Sequence, residues 1–496
     1  MAAVSTRKKR APLDLRRLPI KLHSDERRVI ARLFVLGGEG HLHAIIDRVS
    51  ELSDETVADN LGQVLCNFQC RHENIAEIFE AHFQMVADLV GWQGDLSRER
   101  RLLIGSYFTM EYSIEAAALF NPSIVGHPDQ SGLPEGSLRF IMSLRATGEG
   151  HLSSVVFRTG TLDRDNRVLV DPATRFSSAL QRAPDQHYLR PLFRKKLDEM
   201  AANASTADRV LDPLPEQFTY AQLKEAIVHL RRAEYKPPFF AETVESILWL
   251  ARSNYQLKLA PDADVSEIVL FPQSDNEARG IEDLRLVRFT DDDGTVSYFG
   301  TYTAYNGFRN LPMLMETKDF RTIEIHTLNG PCARDKGLAL FPRRVGGHYV
   351  MCSRIDGHSL YIMYSDYVHF WESAERLAVP LYPWEMMLMG NCGSPLETEA
   401  GWLLITHGVG PMRRYCIGAM LLELDDPLKV IGRLREPLLA PSEAEREGYV
   451  PNVVYSCGSV LHNGRLYIPY AMSDTATSMA SVDADDLINR LLDSPA

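Results

Sequence analysis

Gly294, followed by Tyr298-Phe299-Gly300-Thr301-Tyr302-Thr303-Ala304-Tyr305, is the stretch on which the fold turns. A glycine turn entering a run of aromatic and hydroxyl-bearing residues reads as a hairpin strand. The unit recurs. Gly347 precedes Tyr349-Val350, Gly401 precedes Trp402-Leu403-Leu404, Gly464 precedes Leu466-Tyr467-Ile468, and Gly136 precedes Phe140. The later units are spaced by roughly 50 to 60 residues, which suits propeller blades. A β-sandwich needs no recurring unit of this size. The reading is therefore mainly β: a five-bladed β-propeller with an N-terminal helical region and a helical insertion in the first blade region.

Working outward, Phe140–Arg145 and Ser153–Arg158 read as strands joined by the turn Thr147-Gly148-Glu149-Gly150, and strands resume at Glu267–Phe271. Between them, residues 172–262 turn helical, with Leu223, Ile227, Leu230, Val244, Ile247 and Leu248 at helical spacing. Residues 1–115 are read as a helical region preceding a catalytic domain over 116–496. There, Ser24 is expected to cap a helix with Val29, Ile30, Leu33 and Phe34 on one face, and Ser53 to cap another carrying Val57, Leu61, Leu65 and Phe68. Ile75, Phe79, Phe83 and Val86 continue that stripe, which is expected to form a packed helical core.

The net charge of −13 over 496 residues excludes a general nucleic-acid binder, and any anionic substrate would need a local arginine cluster. Seven cysteines without a CxxC pair form neither a disulfide framework nor a zinc motif, so a reducing, cytoplasmic location is expected. Arg7-Lys8-Lys9-Arg10 has no apolar stretch behind it, which argues against a signal peptide and for a solvated arm. No apolar run approaches membrane-spanning length. His41 and His43 lack companion ligands, and Asp291-Asp292-Asp293-Gly294 reads as a hairpin turn, so no metal is expected.

The chemistry concentrates in Gly280-Ile281-Glu282-Asp283-Leu284-Arg285. Adjacent carboxylates between a glycine and an arginine hold one acid in place and tune its proton, and the aromatic strand beside them suits a sugar. Glu282 would raise the pKa of Asp283 by like-charge repulsion, and Arg285 would oppose it. Taken alone, Asp283 and Arg285 read better as an ordinary turn-stabilising ion pair.

An ordered set of motifs accompanies this acid: Asn121-Pro122-Ser123, Leu340-Phe341-Pro342, Ser353-Arg354, Gly401-Trp402-Leu403-Leu404, His407-Gly408-Val409, Pro451-Asn452-Val453-Val454 and Ser473-Asp474-Thr475. From Asn121 to Asp474 the chain resembles glycoside hydrolase family 130, five-bladed propellers acting on β-mannosides, over about residues 119–480. The resemblance implies that Asp283 is the proton donor to the leaving sugar and that phosphate or water attacks the anomeric carbon from the opposite face. Leu284 stands where the family usually has proline.

The resemblance further implies a phosphate site from Arg334, Lys336, Arg354, His407 and Tyr415. It implies a sugar site from Asn121, Ser123, Arg145, Glu282, Arg285 and Asp474, with Arg139 an alternative to Arg145. Where family phosphorylases often carry a basic residue this chain has Glu397, a candidate general base for hydrolysis. The expected activity is that of an inverting phosphorylase releasing α-mannose 1-phosphate from β-mannooligosaccharides. It needs no cofactor, and inorganic phosphate is the co-substrate. A β-mannoside hydrolase is the alternative, and a non-catalytic sugar-binding propeller the third reading. The partners expected are a β-mannoside and phosphate, with no nucleic acid and no membrane. The N-terminal helices are expected either to support a homo-oligomer or to cap one propeller face.

Overall fold

The computed structural model describes residues 13–183, 186–232, 237–260 and 263–494. The basic run Arg7–Arg10 lies outside them. The fold is mainly β, built from antiparallel units of successive strands.

In the first unit Ala118–Gly126, Leu138–Thr147 and Ser153–Leu162 pair in order, with Val168–Val170 and Ile268–Leu270 along the outer edge. The second comprises Gly280–Thr290, Val296–Tyr305, Asn310–Thr317 and Thr322–Thr327, extended by Tyr255–Lys258. One parallel bridge, Gly280 to Ser153, joins these two units. The third is Ala339–Leu340, Tyr349–Ser353, Leu360–Ser365 and Ala374–Ala378. The fourth begins with Leu388–Asn391 and Leu396–Thr398 and runs through Gly401–Gly410, Arg414–Leu422 and Val430–Arg433. The fifth pairs Val454–Tyr455 and Val460–His462 with Arg465–Met472, then Ala476–Asp483.

The recurring glycines have a common place in these units. Gly136, Gly294, Gly347, Gly401 and Gly464 all have positive φ at the turn entering the second main strand. A side chain there would be strained, so glycine marks the turn in every repeat. Apolar side chains fill the space between neighbouring units. Between the third and fourth, Phe341 meets Trp402 edge-on at 5.1 Å, surrounded by Val350, Ile362 and Leu404.

The N-terminal reading needs one correction. Val29–Leu33 is a strand paired with Thr109–Ser113, and Ser24 caps no helix. Arg16–Leu22 is also a strand, and it pairs with Ala476–Asp483 as the last strand of the fifth unit. Leu18, Ile20 and Leu22 alternate with exposed neighbours, a period-two pattern that outweighs the helical spacing. A partner strand distant in sequence overrides local propensity at both places.

Glu39–Ser50, Asp54–Phe68, Ile75–Val90 and Arg98–Tyr107 are helices. Ser53 caps the second by accepting from the Thr56 amide. Leu42, Ile46, Leu61, Phe79, Phe83 and Leu103 give these helices a core of their own. Arg190–Glu199, Ala204–Leu211, Tyr220–Arg232 and Phe240–Ser253 form the later helical stretch around Phe193, Leu197, Val210, Phe218, Ile247 and Leu250.

Candidate active site

Asn121, Asp283 and Asp474 share an uncommon backbone, with φ of 49°, 56° and 50°. Asn and Asp are the side-chain-bearing residues that best tolerate this left-handed region. At Asn121 and Asp283 the strand ladder is interrupted, between Phe120 and Ser123 and between Glu282 and Arg285. A bulge of this kind re-aims a side chain that a regular strand would turn elsewhere.

The bulged residues meet. Asn121 Nδ2 donates to Asp283 Oδ1 at 2.7 Å, and the Arg145 guanidinium donates to Asp283 Oδ1 at 3.3 Å and to Glu282 Oε1 at 2.8 Å. Lys336 donates to the other Glu282 oxygen. Side-chain exposures of 19% for Arg145, 12% for Glu282 and 18% for Asp283 leave each a face on the cleft. Asp283, Arg285, Thr301, Thr303 and Asp335 line a small recess there.

Arg285 lies deeper and ties the units together. It donates to Asn391 Oδ1 at 3.1 Å and to the Tyr455 hydroxyl at 2.6 Å, and Asn391 Nδ2 donates to the Gly337 carbonyl at 2.6 Å. Asn121, Asp283, Asn391 and Tyr455 belong to the first strands of four units, and Gly337 precedes the first strand of the remaining one. The site thus forms where the first strands converge. His407 donates through Nδ1 to the Asn391 carbonyl at 3.0 Å, which leaves Nε2 as the lone-pair nitrogen. Its ring stacks on Tyr415 at 6.1 Å and meets Tyr455 edge-on at 4.9 Å. Arg354 Nε lies 3.9 Å from Asp335 Oδ2.

The protonation pattern differs from the expected one. Burial pushes Asp283 up, but Arg145, Arg285, Asn121 and Lys336 outweigh burial and hold it below the usual carboxylate range. Asp474 moves the other way. Burial and the Asp283 charge raise it to about 6, against the pull of Arg145 and Arg413. In the free site, then, Asp283 is held ionised, and Asp474 is the member of the pair that keeps its proton to higher pH. The expected like-charge lift from Glu282 does not prevail, because Arg145 and Lys336 offset the Glu282 charge. Burial, reinforced by Arg354 and Arg285, keeps His407 a neutral imidazole.

Two expected residues belong elsewhere. Ser123 is fully buried and its Oγ accepts from the Leu286 amide at 2.9 Å, so it fastens one first strand to the next and offers nothing to a ligand. Glu397 pairs with Arg343 through contacts of 2.6 to 3.0 Å and lies opposite Trp402. His407, further along the Trp402 strand, is about 16 Å away at ordinary strand rise. Glu397 is therefore no base for this site. Arg139 is engaged with Asp129 and Ser131, which leaves Arg145 as the site arginine. Arg334 is exposed on the loop that carries Asp335 and Lys336. Asn391, Tyr455 and Asp335 went unread in the sequence, because each acts through partners on other units.

The chain matches known proteins over this part. The family model described as beta-1,4-mannooligosaccharide phosphorylase matches residues 261–493. A 1,2-beta-oligomannan phosphorylase of Thermoanaerobacter sp. is 33% identical over 226 residues, 44% of this chain and 73% of that protein. The chain belongs to glycoside hydrolase family 130. It is an enzyme of that β-mannoside phosphorylase family. A Beta-1,4-mannooligosaccharide phosphorylase of Ruminococcus albus is 32% identical over 41% of this chain and 63% of that protein. The solved Beta-1,2-Mannobiose phosphorylase from Listeria innocua, in complex with beta-1,2-mannobiose, aligns over 77% of this chain and 93% of its own at 19% identity, with a TM-score of 0.45. The family match begins after Asn121 and Arg145 in sequence. Their hydrogen bonds to Asp283 are what bring them to the site of this family 130 enzyme.

Proposed function

We propose that this protein is an inverting glycoside phosphorylase acting on β-mannosides and releasing α-mannose 1-phosphate. One observation carries the reading. Around the ionised Asp283, the buried atoms Asn121 Oδ1, Arg145 Nε and Arg354 Nε have no hydrogen-bond partner among the described residues. Each such group costs about 1–3 kcal/mol, so the site is built to be completed by a ligand rich in hydroxyls and negative charge. The names of the matched relatives supply the substrate class: 1,2-beta-oligomannan and beta-1,4-mannooligosaccharide.

Asn121, Arg145, Glu282 and Asp474 hold the mannosyl ring in this proposal, and Asp283 delivers the proton to the leaving sugar oxygen as its bond to the anomeric carbon breaks. The carboxylate pair holds that proton: Asp474 carries it in the free site below about pH 6, and sugar hydroxyls bridging the two pass it to Asp283. Arg354 and Lys336 hold phosphate, whose oxygen forms the new bond from the opposite face. Arg285 positions the acid from below. Neutral His407 accepts at Nε2 from the P–OH of phosphate. The five antiparallel units and the N-terminal strand completing the last one support a five-bladed propeller as the scaffold. Seven free thiols fit a reducing compartment, and no helix among the described residues is long and apolar enough to cross a membrane.

The test is incubation with β-1,2- and β-1,4-mannobiose, with and without phosphate. Mannose 1-phosphate formed only when phosphate is present supports the proposal. Free mannose in both arms makes the protein a hydrolase, and no product from either substrate removes the proposal. Arg354→Ala should raise the phosphate KM about 10- to 100-fold with little change in mannoside affinity. Equal losses in both would take Arg354 out of the anion site.

A further inference from the structure

Away from this cleft, Glu316, His326 and His369 place one ligand atom each within 4.8 Å of the others. Glu316 and His326 lie on neighbouring strands of the second unit. Glu316 is directly opposite Glu324, and His326 is two residues beyond Glu324, so all three side chains share a face. His369 arrives from the third unit. Its carbonyl accepts from the Asn329 amide at 2.9 Å, and the Trp371 amide returns a bond to Asn329 at 2.8 Å. This backbone pairing sets the His369 ring against His326, with centroids 4.8 Å apart and the planes at 77°.

The cluster is incomplete in a telling way. His369 Nε2 is buried and lacks a hydrogen-bond partner among the described residues. Glu324 Oε2 lies 3.4 Å from His326 Nε2 and stands ready as a fourth group. We propose that Glu316, His326 and His369, with Glu324, bind a zinc-type dication that fastens the loop before Trp371 to the second unit.

Two imidazoles and two carboxylates are the donor set of a borderline cation such as Zn²⁺. Mg²⁺ and Ca²⁺ take oxygen donors and would leave both imidazoles unused. Donor atoms around tetrahedral zinc stand about 3.3 Å apart, so side-chain rotations close the present spacing. Lys196 and Lys318 are the cationic groups felt by the cluster. Lys196 is committed to Asn254 Oδ1 at 2.8 Å and to Thr327 at 3.1 Å, and two carboxylates outweigh it. The fastened segment matters because Asn329 opens the loop that carries Asp335 and Lys336 into the cleft.

The full-length protein, stripped with a chelator and titrated with ZnCl₂ by calorimetry, should take up one equivalent with an accompanying rise in Tm. MgCl₂ and CaCl₂ should do neither. His369→Gln and Glu316→Gln should each weaken zinc binding by about 100-fold or more while keeping the metal-free Tm of the wild type. If one variant fails to fold, the other carries the test. No stoichiometric uptake by the wild type, or undiminished uptake by a folded variant, would overturn the site.

Discussion

Glu277 and Asp283 are six positions apart, the first fully buried and the second half-buried, and their surroundings are opposites. Glu277 is fully enclosed and saturated. It accepts from the Tyr255 and Tyr302 hydroxyls at 2.8 and 2.7 Å, and from the Gln273 and Ser274 amides and Ser274 Oγ at 2.9 Å. Asp283 accepts from Asn121 and Arg145, each of which keeps a buried polar atom without a partner among the described residues. The difference lies in whether the protein finishes the hydrogen bonding itself. The capping-box glutamates Glu385 and Glu445 sit with Glu277 on the saturated side, the first held by Arg433 and the second by Arg17 and Tyr470.

The sharpest way to break this comparison is to alter both residues. Asp283→Asn should lower turnover by about 10³-fold or more while circular dichroism and Tm stay near wild type; retained turnover would end the acid assignment. Glu277→Ala should do the reverse. Two tyrosine hydroxyls and two amides lose their acceptor, so urea denaturation should show a loss of about 3 kcal/mol or more, with kcat per folded molecule within about threefold. A folded Glu277→Ala protein without activity would make the contrast wrong.

Asp474→Asn sharpens it through pH. The folded Asp474 pKa is raised to about 6, so the folded state binds the proton more tightly than the unfolded chain, and stability falls as pH rises from about 4 through 6. The variant should therefore exceed wild type by about 1–2 kcal/mol at pH 7.5 and lose that advantage at pH 4. The decline of kcat/KM above about pH 6 expected for wild type should vanish in the variant. The smallest effect belongs to Glu397→Gln. Its partner Arg343 is 38% exposed and Glu397 itself 42%, so stability should move by less than about 1 kcal/mol and turnover not at all.

Local rules reached a good part of this molecule. The glycine-strand unit locates the second main strand of each sheet unit, because a positive-φ turn selects glycine wherever it occurs. The helical stripes at Val57–Phe68 and Ile75–Val86 formed helices, since i, i+4 spacing and the Ser53 cap are properties of a single segment. Val29–Leu33 misled, because its partner Thr109–Ser113 could not be seen from the segment alone. Glu397 misled for the same reason: its charge was legible and its ion pair with Arg343 was not.

The sequence by itself determined which chemistry the chain has to hand: an acid at Asp283 between a glycine and an arginine, a second acid at Asp474, and cations at Arg145, Lys336 and Arg354. Tertiary structure alone decided that Asp283 is pushed down and Asp474 up, which buried polar atoms lack a partner, and that Glu316, His326 and His369 come together at all. Turn and strand preferences are set by neighbouring residues. A pKa or an unpartnered atom is set by whatever the fold brings within a few ångströms, and here those groups come from separate sheet units.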